Sequence, residues 1–375
     1  FFQAEHGILH SSTSRALGDV YNRQGQTVTD KLTTPIVDFG KSAVETTMNF
    51  DATMSEVAAI AGATGSDLED LRAKAKEMGA TTKFSASEAA EAMTYMGMAG
   101  WDTTQILGGI PGIMNLASAS GTDLATTSDI VTDALTALGM EAEDAGHFAD
   151  VLAAASSGAN TNVELLGESF KYVAPLAGTM HYSIEDLAIA LGTMANSGIK
   201  ASQGGTALAN VITRMVTLPE EAETAMNALG LSLIDNDGNM KSLRQTMDDL
   251  REAFKDCNID VETYNQGLES LDEQYNNSEI TLEKYEQGLD DLTDAAFGNA
   301  DAHAAQYAKM LAGQRGMPGL LAIIGASEEE YQKLTEAIDT ASDSFEYNGQ
   351  VFEGQAAKMS AVMLDNLKGD STILQ

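Results

Sequence analysis

Glycine decides what this chain can fold into. Gly65, Gly79, Gly100, Gly121, Gly139, Gly158, Gly178, Gly198 and Gly230 each fall where a run of helix-forming residues would end. Glycine takes the left-handed conformation that closes a helix at little steric cost. Between these stops the chain is rich in Ala, Leu, Met and Glu, all good helix formers. Apolar residues recur there at helical spacing: Leu68, Leu71, Ala75 and Met78; Ile106, Leu107, Ile110, Ile113 and Met114; Phe148, Val151, Leu152 and Ala155. Helix starts are marked by Ser/Thr-x-x-Glu/Asp at Ser66/Glu69, Ser85/Glu88, Thr161/Glu164, Ser183/Asp186 and Ser327/Glu330. In that pattern two side chains satisfy orphan backbone N–H groups reciprocally. Helices of about 10–18 residues are marginal alone, so these must bury their stripes against one another.

Two segments echo each other. Ser85-x-x-Glu88 leads to Ala99-Gly100 and on to Gly121, and Thr161-x-x-Glu164 leads to Ala177-Gly178 and on to Gly198. The offset of about 77 residues reads either as a duplicated helix-turn-helix unit or as an echo of the kind any Ala/Gly-rich helical chain produces. At 231–243 the rhythm changes. Leu231, Leu233 and Met240 flank Asn236-Asp237-Gly238-Asn239, and an Asp-Gly pair between apolar residues signals a small β-hairpin.

From Lys241 to Ala300 there are 5 basic and 15 acidic residues, with apolar positions in a 3-4 rhythm from Leu243 to Leu292. A 21-residue repeat lies inside, Ile259–Leu268 matching Ile280–Leu289. Two structures fit: one continuous coiled-coil helix, or an antiparallel helical hairpin broken at Asn276-Asn277-Ser278. The break residues are poor helix formers and Asp260 and Thr281 are good caps, which favours the hairpin. The expected fold is therefore all-α: an array of short Gly-punctuated helical hairpins, with a heptad-patterned hairpin or coiled coil around 243–296. The expected divisions are an N-terminal segment and helix over 1–60, a core helical domain over 61–230, a β-turn plus acidic helical hairpin over 231–300, and a C-terminal helical segment over 301–375.

Charge narrows the function. With 21 Lys+Arg against 56 Asp+Glu the net charge is −35. No Lys or Arg occurs between Lys83 and Lys171. Nucleic acid and anionic membranes are bound through Lys and Arg, so neither is an expected partner. The single cysteine, Cys257, excludes an intramolecular disulfide. The longest apolar run, about eight residues near Gly319–Ala326, is well short of the roughly 18–20 of a membrane span. The chain opens with Phe1, which reads as a fragment of a longer protein.

Candidate chemistry is thin. His147 has Glu143 four residues before and Asp150 three after, and His181 has Glu185 four after. Such spacings can place metal ligands on one helix face, but a chain this acidic puts carboxylates beside most histidines. Catalytic zinc needs three well-placed ligands. Asp235-Asn236-Asp237-Gly238 departs from a calcium loop in both glycine and twelfth position. Gly40-Lys41-Ser42 lacks the upstream glycine of a phosphate loop. Cys257 falls on the apolar stripe and reads as a core residue. The string Gly198–Leu208, with paired Gly204-Gly205, reads as a tight turn plus close helix packing rather than an anion cradle. No catalytic, cofactor-binding or metal-ligating residue is assigned, and no cofactor.

Several strings, in order, resemble the core region of tail tape measure proteins of long-tailed bacteriophages. They are Pro35–Val57; Thr81-Thr82-Lys83-Phe84-Ser85-Ala86-Ser87-Glu88; Ala99-Gly100-Trp101; Gly109-Ile110-Pro111-Gly112-Ile113-Met114-Asn115-Leu116-Ala117; Gly198–Leu208; Phe297-Gly298-Asn299; Ala312-Gly313; and Met363–Gly369. The match covers most of Pro35–Gly369 and is poorest at Thr246–Ala296. The resemblance implies a structural, non-enzymatic virion protein, made in the host cytoplasm. It implies a place in the tail tube lumen, where such proteins set tail length and leave ahead of the DNA. It implies as partners the tail tube protein, tail assembly chaperones, distal tail or baseplate proteins and further copies of itself. Two alternatives stand beside it: a tail-associated cell-wall hydrolase whose catalytic domain lies outside these residues, and a membrane-active helical effector.

Overall fold

The computed structural model describes residues 34–257, 260–297 and 302–373. Among them are sixteen α-helices and one two-stranded sheet. The first 33 residues of the expected N-terminal segment, with His6 and His10, lie outside the described residues. The chain divides into two compact units, 1–56 and 57–375. In the first, the described residues are helical throughout, in α1 (Thr34–Ala61), which runs on across the boundary. Gly40-Lys41-Ser42 is helical backbone there, not a loop.

The second unit begins with α2 (Ser66–Thr81), α3 (Ala86–Met98), α4 (Thr103–Ser120), α5 (Leu124–Leu138), α6 (Ala145–Gly158), α7 (Val163–Thr179), α8 (Ile184–Asn196) and α9 (Ala201–Thr217). From α3 to α9 alternate helices stack, α3 on α5, α5 on α7 and α7 on α9, and α4 on α6 and α6 on α8, while α2 packs mainly on α3 and less on α4. One layer is therefore α3, α5, α7, α9 and the next is α2, α4, α6, α8. The local signals are the expected kind. Ser85 caps α3 in a full capping box with Glu88, and Asp102 does the same for α4 with Gln105. Asp123 and Asn162 cap α5 and α7. The caps of α3, α5, α7 and α9 are Ser85, Asp123, Asn162 and Lys200, 38, 39 and 38 residues apart. The 77-residue echo thus spans two successive hairpins, with the same helix order in both segments. Some starts differ from expectation. Gly65, not Ser66, caps α2, and Asn162, not Thr161, caps α7.

The remaining helices are α10 (Glu220–Leu229), α11 (Leu243–Ala253), α12 (Val261–Asn276), α13 (Leu282–Phe297), α14 (Ala302–Ile324), α15 (Glu328–Asp339) and α16 (Gln355–Ile373). Of these, α11, α14, α15 and α16 lie against helices of the second layer, while α10, α12 and α13 pack on α14. α16 packs on α4 and α6, α15 on α6 and α8, and α14 on α8 and α9. This makes α8 a middle-layer helix, and residues 187–195 are buried without a break. A helix apolar all round is one enclosed on every side. Layer spacing is set by missing side chains at two crossings. A Cβ on Gly112 of α4 would press on the Gly146 and Ala145 backbone of α6. One on Gly205 of α9 would overlap the Ser169 carbonyl of α7. Gly204-Gly205 is thus a close-packing device, as expected.

The acidic segment is a hairpin. α12 and α13 pack antiparallel, broken at Asn277-Ser278 with Ser278 at φ 59°. The 21-residue repeat gains a structural meaning here. A Cβ on Gly267 would overlap Leu292, and one on Gly288 would meet Leu271. Each repeat therefore supplies one glycine seat and one leucine to the other. At 231–243 the ribbon is present in minimal form, as one isolated bridge, Ile234 to Met240. The Asp235 carboxylate ties its turn by accepting from the N–H groups of Asp237 and Asn239. A fuller ribbon lies where none was expected, β1 (Ser344–Tyr347) against β2 (Gln350–Glu353), turning at Asn348-Gly349. Both turn residues have positive φ, the geometry that Asn-Gly favours.

Candidate functional site

Three arginines join helices far apart in the sequence. Asp186 on α8 keeps its backbone cap bond to Ser183, but its carboxylate turns away to α11. It accepts from Arg244 Nε and from the Arg244 backbone N–H, both at 3.0 Å. The same guanidinium grips Asp339 on α15 with both terminal nitrogens, at 2.8 and 2.7 Å. These bonds and its neighbours raise the Arg244 pKa, so the side chain stays charged. Asp186 is only 7 % exposed and Asp339 is 43 % exposed. One arginine thus ties three helices. Arg251 works the same way nearby. It donates to the Ile323 and Ala326 carbonyls at the end of α14, pairs with Glu328, and lies over the Tyr331 ring. Arg214 donates to the Met310 carbonyl in α14, next to Gly313, where the backbone leaves the helical region at φ 62°, ψ 177°.

The histidines sort differently from their sequence spacing. His181 sits in the turn before α8 at φ 55°, and Glu185 does not pair with it. Glu185 Oε1 lies 2.6 Å from Nε2 of His147 on α6. His147 Nδ1 is 2.8 Å from the Ser342 hydroxyl, which lies 3.4 Å from the Asp150 carboxylate. The Glu185 hydrogen bond raises the His147 pKa, and the imidazole lowers that of Glu185. Burial pushes Asp150 up to about 6. Glu143 is exposed and takes no part.

Ser342, His147 and Glu185 stand in hydroxyl–imidazole–carboxylate order, the arrangement that activates nucleophiles. Here the hydroxyl, on an exposed residue, lies between the imidazole and the Asp150 carboxylate and donates to the latter. The chain joins elements. Sequence spacing could not find it, because Ser342 and Glu185 lie 195 and 38 residues from His147. Among the described residues no group of three or more His, Cys, Asp or Glu side chains is placed to hold a metal ion. No helix of the described residues is long and apolar enough to cross a membrane.

Layered helices tied to one another by ion pairs define an all-α protein. The chain belongs to the phage-related minor tail protein family, whose sequence profile matches residues 72–271. It is 33 % identical over 365 residues to the tape measure protein of Pneumococcus phage Dp-1, covering 97 % of this chain and 27 % of that protein. It is 25 % identical over 203 residues to the probable tape measure protein of Escherichia phage P2, covering 54 % of this chain and 25 % of that protein. The chain therefore spans about a quarter of the length of these relatives, and the resemblance read from the sequence holds. No solved structure matches it.

Proposed function

We propose that this chain is a compact structural module of a tape measure protein, acting inside the tail tube lumen during tail assembly and leaving ahead of the DNA. The observation that carries this reading is the stacking of alternate helices from α3 to α9. A hairpin of about 38 residues then advances the stack by one helix spacing, about 8–10 Å. The same residues in one straight helix would span about 57 Å. On this reading the module is a folded station along the tape, and length is metered by extended segments elsewhere in the protein.

The role is non-enzymatic. Support comes from the structural names of the relatives and from the engagement of Ser342 and His147 within the fold. The tail tube protein, tail assembly chaperones, distal tail or baseplate proteins and further copies of the chain are the proposed partners. Nucleic acid is not among them, because the net charge of −35 repels it. The working divisions are those at 60, 230 and 300, with the stacked hairpins descended from a duplicated unit.

Cryo-electron microscopy of full and emptied particles carrying a tagged module tests this. Tag density inside the tube of full particles and absent from emptied ones is expected. Density on the outside of the tube, or retained after DNA has left, contradicts the reading.

A further inference from the structure

Asn348-Gly349 is the one Asn-Gly pair in the sequence; every other asparagine precedes a residue that carries a Cβ. The pair forms the two-residue turn of the β1–β2 ribbon, and both residues are exposed. The register joins Tyr347 to Gln350, so the Gly349 N–H lies outside the ladder. Without a Cβ on Gly349, its backbone nitrogen is open to close approach by the side chain before it.

The Asn348 amide ties the tip of the ribbon to α16. Its Nδ2 donates to the Asp365 carboxylate at 2.7 Å. Further ties lie nearer the ribbon's base: Lys358 of α16 over the Phe345 ring, the Gly354 N–H on the Asp343 carbonyl, and the Gln355 N–H on the Ala341 carbonyl. Asn348 and Asp365 also line a cleft of about 640 Å³, together with Met78 on α2, Pro111 on α4 and Leu364 on α16. The bond between them holds one wall of that cleft in place.

We propose that Asn348 is a deamidation site, and that its conversion frees the ribbon tip from α16 and opens this cleft. Water is the only co-reactant. The Gly349 N–H gives its proton to water or hydroxide, and the nitrogen attacks Asn348 Cγ. The N–Cγ bond forms, the Cγ–Nδ2 bond breaks, and Nδ2 takes up a proton and leaves as ammonia. Water then opens the succinimide ring at either carbonyl. Opening at Cγ gives aspartate, and opening at the backbone carbonyl gives isoaspartate. One amide and one water become one carboxylic acid and one ammonia, with nothing oxidised or reduced. The attack needs the side chain over the Gly349 nitrogen, whereas the Asp365 bond holds the amide on α16. The reaction therefore proceeds from the fraction of molecules in which that bond is open.

Either product reverses the contact. A donor that met a carboxylate is replaced by a second carboxylate, and like charges repel. Isoaspartate also runs the main chain through the side-chain carbon, which lengthens a turn built for two residues. The ties at the ribbon's base are untouched, and α16 keeps its packing on α4 and α6, so the change is confined to the tip.

Peptide mapping by mass spectrometry of the whole chain, aged in warm neutral buffer, tests the site. Asn348 is expected to convert ahead of every other asparagine, to a mixture of aspartate and isoaspartate. Asp365→Ala, which releases the amide, is expected to speed the conversion about fivefold, the factor set by one exposed hydrogen bond to a charged group. Hydrogen exchange tests the consequence. In Asn348→Asp the amides of the ribbon tip are expected to exchange several-fold faster than in the unaltered chain, while those of α4 and α6 keep their protection. Another asparagine converting first, a rate untouched by Asp365→Ala, or unchanged exchange at the ribbon tip in Asn348→Asp would overturn the proposal.

Discussion

Truncating Arg244 to alanine tests how the layers are held. Two unequal ion pairs are lost at once. Asp339 is 43 % exposed and can be hydrated by solvent, so its half is worth about 0.5–1 kcal/mol. Asp186 is 7 % exposed and would keep only the backbone N–H of residue 244. Stranding a buried carboxylate costs about 3–5 kcal/mol, and the surviving bond places this one at the low end. The expected total is about 3–4 kcal/mol for Arg244→Ala and under about 1 kcal/mol for Asp339→Ala. Replacing Asp186 and Arg244 together, Asp186→Leu with Arg244→Met, leaves no buried charge unpaired and is expected to recover most of the loss. Urea unfolding is the right assay, because guanidinium is a salt and screens the pairs being measured. Equal losses for Arg244→Ala and Asp339→Ala, both under about 1 kcal/mol, would refute the reasoning, because Asp186 would then be indifferent to its partner.

Two further outcomes are expected. Gly205→Ala drives a methyl into the Ser169 carbonyl, a backbone atom that cannot swing aside, so α7 and α9 must part; a loss of about 2–3 kcal/mol in the same assay is expected, and a neutral result would contradict the close crossing. The His147–Glu185 pair should give stability a shallow maximum in pH. The raised imidazole contributes below its ordinary 6.5 and is lost as pH climbs through its folded value, while the lowered carboxylate contributes above 4.5 and is lost as pH falls through its own. With His147 42 % exposed the effect is under about 1 kcal/mol, and melting curves of His147→Gln should flatten it.

What the sequence could show was local. Caps such as Ser85, Ser183 and Ser327 are satisfied within four residues, so their pattern survives in one dimension. The break at Asn277-Ser278 was legible for the same reason, since those residues disfavour helix whatever surrounds them. The links between layers were not legible. His181 and Glu185 share a helical spacing, yet His181 precedes the helix, so the spacing places them on no common face. Glu185 instead finds His147, and Asp150 finds an N–H 206 residues away. The Asn348-Gly349 turn is a local signal, but the two four-residue strands it joins make a faint pattern in so helical a chain. The 38-residue hairpin period was half visible. Ser85 and the Thr161 region echo each other, while the intervening hairpin, capped by Asp123 without a Glu partner, keeps the structure but not the motif.

Tail length in phage carrying an in-frame deletion of residues 123–160 tests the folded-station claim most directly. That segment is one hairpin, α5 with α6. If it is stacked within a folded module, mean tail length should change by no more than one helix spacing, about 10 Å. Shortening by about 57 Å, the span of the same residues as extended helix, would show that this segment meters length itself.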